Sequence, residues 1–343
     1  MARKWIRRGF AIIVLSLLAA VVWAGSNWGS LQVRYAAHRL TTATTDDDRA
    51  KWADALTAHG DEGERRLLEF VRTGDPTLRS AAAAALGRHL ETLPENDPHA
   101  AHRSEILLEL FVASDDACRE SLVEWLPTLV SRGGPVHRAR CKDAVAIGLK
   151  LPSVSARLAA IRAALHPQVA MRAELVALLA ASEAEVRRAA LFAVGPATDA
   201  EAVVGDEELF RWLHDPDRGV RAVCHDALVS RGRSDGEIAL GRRLVDPEPG
   251  ERLKLLLDLR YDDDVADPEP WLERMSHDVD PGVRAGAARV MMELSVEKRS
   301  PAPAWVAQLA EGDPELAVRR IARYYRSLPN RRSEEGIRPI GGP

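Results

Sequence analysis

The chain has 343 residues, only 5% of them aromatic, and a formal net charge of −4. A surface that tracks phosphates is basic and offers aromatic platforms to bases, so this composition excludes nucleic acid as the expected partner. At this length a single compact core is unfavourable, whereas an array that grows by adding neighbours meets no such limit.

Taken in order, the chain opens with Arg3, Lys4, Arg7 and Arg8, and then carries no charged residue from Gly9 to Val33. The run Phe10 to Ala24, FAIIVLSLLAAVVWA, is almost wholly apolar. The stretch from Gly9 to Gly25 would span about 25 Å as a helix, and Trp5, Trp23 and Trp28 supply interfacial anchors. Residues 1–28 therefore read as a cytoplasmic basic stub followed by one transmembrane helix. The positive stub places the N-terminus in the cytoplasm and the rest on the extracytoplasmic side, the periplasm in a Gram-negative cell. The competing reading is a secretory signal cut after Val22-Trp23-Ala24, which would release the protein. Residues 29–45 read as a tether, with some helical character from Leu31 to Leu40.

Beyond the tether one word recurs. Asp215 to Leu228 reads DPDRGVRAVCHDAL, and aligning the chain on its arginine gives Arg79, Arg119, Arg157, Arg187, Arg221, Arg252, Arg284 and Arg319. The spacings run from 30 to 40 residues, room for two helices per unit. The residue before the arginine is apolar or small except at Glu251, and the third residue after it is never polar. In the word itself Val220, Cys224, Ala227 and Leu228 fall on one helical face, which predicts burial. Asp215-Pro216 is expected to cap and start the helix, since Asp accepts first-turn N–H groups and Pro has none to lose there. The pattern predicts an all-α chain, an α-solenoid over residues 46–328, with Asp46 to Ala58 and Glu62 to Arg72 as a divergent first pair. Each regular unit is expected to open with the capped helix and continue into a second, such as Ser104 to Ala113, Gln168 to Ala181, Asp206 to His214 and Pro303 to Leu309. The recurring arginine is expected to bind loop carbonyls or a neighbouring capping Asp. Residues 329–343 have no apolar period and read as a disordered tail.

The words DPTLRSAAAAALG (75–87), SEAEVRRAALFAVG (182–195) and DPGVRAGAARVM (280–291) resemble HEAT repeats, most closely the HEAT-like repeats first associated with phycocyanobilin lyases. The resemblance covers residues 46–328 and implies architecture rather than activity, because scaffolds, adaptors, chromophore lyases and an iron-dependent hydroxylase family share it. The hydroxylase binds iron through His-Glu dipeptides, and this chain has none: Arg follows His102, and Asp follows His214 and His225. The resemblance also implies that the second helices line a concave side, where Arg138, Arg140 and Lys142 would form a partner-binding patch.

No residue is assigned a catalytic, cofactor-binding or metal role. His99, His102 and Glu105 share a helix face but read as a solvated helix start, and Asp262, Asp263, Asp264 and Asp267 read as an acidic loop without the glycine turn and terminal Glu of a calcium site. There is no GxSxG elbow, Walker loop, HExxH or CxxC. Cys118 and Cys224 occupy core positions of the repeat, and Cys141 lies in register with Val145 and Leu149. A Cys118–Cys141 disulfide stays open on this reading. The sequence is thus expected to encode a non-enzymatic, membrane-anchored scaffold that binds a protein partner and uses no cofactor. The alternative is a chromophore-lyase-like enzyme, which would need a deep polar pocket where a scaffold presents an open surface.

Overall fold

The computed structural model describes residues 28–94, 97–133, 137–197, 202–261 and 267–335. All regular structure among them is helical, and it divides into two units, one ending at Val194 and one beginning at Gly195. In the first unit α1 (Trp28–Thr42) packs on α2 (Asp46–Thr57), and α3 (Gly60–Thr73) on α4 (Pro76–Thr92). Next, α5 (Pro98–Ala113) packs on α6 (Asp116–Leu122) and its continuation α7 (Leu126–Gly133). The unit closes with α8 (Arg138–Gly148) on α9 (Val154–Ala164), and α10 (Arg172–Leu175), extended by a 3-10 turn, on α11 (Ala184–Val194).

The second unit repeats the plan. Its pairs are α12 (Asp206–Trp212) with α13 (Arg218–Ser230), and α14 (Asp235–Leu244) with α15 (Pro249–Tyr261). They are followed by α16 (Glu269–Met275) with α17 (Pro281–Lys298), and α18 (Ala304–Gly312) with α19 (Leu316–Glu335). Each unit is thus a stack of helical hairpins, the construction principle of α-solenoids.

The arginine-bearing helix is the second member of its hairpin, not the first as the sequence predicts. Its guanidinium binds carbonyls that precede its own helix, in the turn for Arg221, Arg252 and Arg284 and in the last turn of the preceding helix for Arg119. Arg119 donates to the carbonyls of Phe111 (3.1 Å) and Val112 (2.9 Å) in the last turn of α5. Those carbonyls have no partner within their own helix, so a cation there supplies both hydrogen bonds and the favourable sign of charge.

The cap also shifts by two residues. Asp217, not Asp215, caps α13, its carboxylate accepting from the N–H of Val220 at 2.9 Å. Asp215 lies in the turn before the cap, and its carboxylate accepts from the N–H of Asp217 at 2.8 Å. The Asp-Pro rule does hold at Asp75-Pro76 and Asp280-Pro281, where Pro takes the first helical position. The constant feature is therefore the residue four before the arginine, whose carbonyl accepts the arginine N–H in all eight words. A ninth word obeys it: Arg49 N–H bonds the carbonyl of Thr45, and Thr45 caps α2. Arg49 was hidden because Asp48, not an apolar residue, precedes it.

Three further departures have local causes. The tether expected over 29–45, with some helical character from Leu31 to Leu40, is largely the full helix α1, with Val33, Ala36, Ala37 and Leu40 buried on one face. Helix α19 runs past the expected boundary to Glu335, through helix formers such as Arg331, Arg332 and Glu334. Between α6 and α7 the chain tightens into a 3-10 turn at Val123–Trp125. Pro127, four residues after Val123, has no N–H for that carbonyl and its ring crowds it. Glycine permits close approaches in both units: a Cβ on Gly87 would lie 2.0 Å from the Trp125 ring, and one on Gly241 would lie 2.3 Å from Phe210.

Candidate partner-binding surface

The recurring arginines build structure. Arg221 donates to the carbonyls of Asp215 (2.7 Å) and Pro216 (2.9 Å), closing its own turn. Arg252 does the same with Asp246 and Pro247, then reaches the carboxylate of Asp278 in the next hairpin at 2.7 and 2.9 Å. Arg284 repeats the step, holding the carbonyls of Asp278 and Val279 and both oxygens of Asp313 at 2.8 and 3.0 Å. Asp278 and Asp313 each also accept an N–H two residues on, from Asp280 and Glu315. One aspartate thus ties its own turn and receives the previous arginine. In the first unit the link is to the cap position instead, Arg79 to Asp115 at 3.5 Å and Arg157 to Glu183 at 2.8 Å. The hydrogen bond from Arg157, with one from Ser182, holds the Glu183 carboxyl down at about 2.

All three cysteines are buried free thiols, so the Cys118–Cys141 bridge does not form. Cys118 Sγ donates to the carbonyl of Val71 at 3.6 Å, and Cys224 Sγ to that of Leu209 at 2.8 Å. Cys141 packs near Gly133 instead of Cys118. Burial pushes the Cys141 thiol up and the Cys224 thiol up to about 12.

His99 stands exposed at the start of α5. Glu105 turns to Arg140 at 2.9 Å, with His137 at 3.5 Å and His102 at 3.7 Å. No group of three or more metal-ligating side chains is found among the described residues. Asp262, Asp263 and Asp264 lie outside them, and Asp267 accepts the N–H of Glu269. On α8, Arg138 and Lys142 are exposed, but Arg140 is bound to Glu105, which leaves two solvated cations of the expected three.

One exposed surface that departs from a solvated helix face lies in the second unit. On α15, Leu253, Leu257 and Tyr261 stand at i, i+4 and i+8 and are 39%, 59% and 72% exposed. They make one apolar stripe along the helix. Gly286 of the neighbouring α17 lies against Leu256 and Leu253, and its lack of a side chain lets Leu256 pack closely onto α17. One turn on, Arg289 projects beside the stripe, bonded to Glu293 at 2.9 Å and lying 5.7 Å from the ring centre of Tyr325 on α19. Tyr325 meets Tyr324 edge-on at 5.2 Å, and Tyr324 and Ile321 are exposed in turn. Charges of both signs rim the patch: Glu251, Lys254, Arg289 and Glu293. On α4 the counterparts of these positions are Ser80, Ala84 and Arg88, with no apolar stripe, while on α11 Phe192 stands at the place of Leu257 and is exposed.

No family model matches the chain, and no curated protein does. Among solved structures it is similar to an engineered protein at 18% identity over 85% of this chain and 87% of that one, with a TM-score of 0.38. A second engineered protein is similar at 19% identity over 61% and 97% of the two chains, also at 0.38. So is the Escherichia coli protein YibA, at 16% identity over 84% and 98%, with a TM-score of 0.38. Likenesses this slight carry no functional inference.

No helix among the described residues is long and apolar enough to cross a membrane. The apolar run from Gly9 falls outside those residues as far as 27, and its last part, Trp28 to Val33, is the first turn and a half of α1.

Proposed function

We propose that this chain is a non-enzymatic scaffold of HEAT-like repeats, anchored in a membrane by its N-terminal segment, that binds a protein partner and takes no cofactor. The observation that carries the reading is the stripe Leu253–Leu257–Tyr261, with Arg289 and the Tyr325 ring it meets on the neighbouring helices. Protein interfaces concentrate aromatic, arginine and large aliphatic side chains in a central cluster inside a polar rim, and this patch has that anatomy. Burying one exposed leucine or tyrosine under a partner contributes about 2 kcal/mol, so three on one helix can dominate an affinity. A rim of mixed sign suits a protein, whose own charges set orientation and association rate, better than a polyphosphate. The anchor reading rests on the uncharged run Gly9 to Val33, and it puts the repeats on the extracytoplasmic side.

The test is partner capture by the detergent-solubilised full chain, comparing wild type with Leu257→Asp/Tyr261→Ser. Both side chains are exposed, so the melt should be unchanged while capture falls at least tenfold. Equal capture with an equal melt would reject this surface.

A further inference from the structure

The N-terminal end of the first unit carries a second surface of different chemistry. Residues 1–45 contain no acidic residue at all. Helix α1 lies within this stretch, and its outer side shows Trp28 at 59% and Tyr35 at 58% exposure, two turns apart on one face. Exposed Trp and Tyr beside cations are the side chains that settle at the headgroup level of a bilayer, the ring in the apolar edge and the polar tip in water.

Between α1 and α3 runs an open groove of about 760 Å³ whose walls include Arg34 and His38 from α1 and Arg65, Arg66 and Arg72 from α3. Glu62 and Glu69 also line it, and Arg66 is bound to Glu69. Among the described residues Arg34, Arg65 and Arg72 have no carboxylate partner, and all three are exposed. Only Gly25, Ser26 and Asn27 separate the apolar run from Trp28, a link of about 10 Å at full stretch. If the segment is anchored, the groove cannot stand far from the leaflet.

We infer that the α1–α3 groove binds the phosphate of an anionic phospholipid headgroup, laying α1 along the membrane surface. The inference rests on the anchored reading above. It adds a lipid class to it: phosphatidylglycerol-type headgroups over phosphatidylcholine, whose own cation would face the arginines. Arginine suits the task because its planar fork gives a phosphate two parallel hydrogen bonds. Near a charged leaflet each arginine contributes about 1 kcal/mol, roughly fivefold in affinity.

Native mass spectrometry of the full chain from its own host, in a neutral maltoside detergent with phosphatidylglycerol and phosphatidylcholine added in equal amounts, decides the matter. The expected result is preferential retention of phosphatidylglycerol, falling at least tenfold in Arg34→Gln/Arg65→Gln/Arg72→Gln with an unchanged melt. Equal retention of the two lipids by the wild type overturns the proposal, and so does undiminished preference in the triple variant. Full displacement of the lipid by inorganic phosphate at about 10 mM, with an equal rise in melting temperature, overturns the lipid source in favour of a free phosphate. The same spectrum reads the chain's mass: a mature form starting at Gly25 would remove the anchor, while the comparison of lipids, made on residues still present, would decide the groove separately.

Discussion

Val220 and Glu251 occupy the same place in the repeat, one residue before the arginine, and have opposite surroundings. Val220 is fully buried, whereas Glu251 is exposed and pairs with Lys254 at 2.6 Å. A carboxylate at 220 would be buried without a partner, so Val220→Asp is expected to cost several kcal/mol, and Glu251→Ala less than about 0.5 kcal/mol. Urea unfolding of both variants measures this, and similar losses would mean that the burial of this face is misassigned. The cysteines give a second expectation at this scale. With its thiol pushed up to about 12 by burial, Cys224 has almost no thiolate at pH 8, and a thiol reagent should leave it intact until denaturant is added. Labelling of Cys224 within minutes in native buffer would contradict the buried site. These residues were legible in the sequence because a recurring apolar position needs no partner to be named: the third position after the arginine, Ala82 through Ala322, is buried in all eight words.

At the scale of elements, the hairpin partner was not legible. Periodicity says which face of a helix is buried and is silent about which neighbour buries it. The answer lay in which helices pack together, which spacing does not encode, although the arginine's bonds to turn carbonyls are as the repeat predicts. The ladder it forms is testable at Arg284. The Asp313 side chain is 1% exposed, and the hydrogen bond from Arg284 holds its carboxyl below the ordinary 3.8. Removing the arginine leaves a buried carboxylate unpaired, so Arg284→Met is expected to cost about 3 kcal/mol at pH 7. The sign with pH follows. A depressed carboxyl contributes stability above its unfolded value and loses it as pH falls through the folded one. The gap between wild type and variant should therefore narrow below about pH 4, when the variant's carboxyl takes up its proton first. Urea midpoints at pH 7 and pH 3 measure both, and a gap that stays constant would show that Asp313 is not the group responsible. Helix α1 was legible in principle, through Val33, Ala36, Ala37 and Leu40, but the uncharged run extends into it and blurs its start.

For the whole molecule, repetition was enough to predict stacked helices. The candidate surface was not visible, because it draws Leu257, Arg289 and Tyr325 from three helices that no linear motif connects. The apolar face that predicts burial and the apolar stripe that stays exposed on α15 look alike in sequence; only the packing tells Leu256 from Leu257. The anchor gives the expectation at this scale: intact mass from the native host should include residues 1–24, and a chain beginning at Gly25 would contradict it.

The arginine–aspartate ladder of the second unit has a bearing on how such a chain can change length. The two rungs, Arg252–Asp278 and Arg284–Asp313, are the same joint, an arginine holding an aspartate in the turn ahead of the next arginine, so the joint does not record which rung it is. Excising residues 253–284 would bring Asp313 into the turn that follows Arg252, with the same bonds on offer as Arg284 makes now. A cut out of register by even a few residues would leave one guanidinium and one carboxylate without a counterpart inside the stack. Gene duplication or loss is thereby constrained to steps of one whole rung, and relatives of this protein should differ by entire hairpins in this region, not by fractions of them.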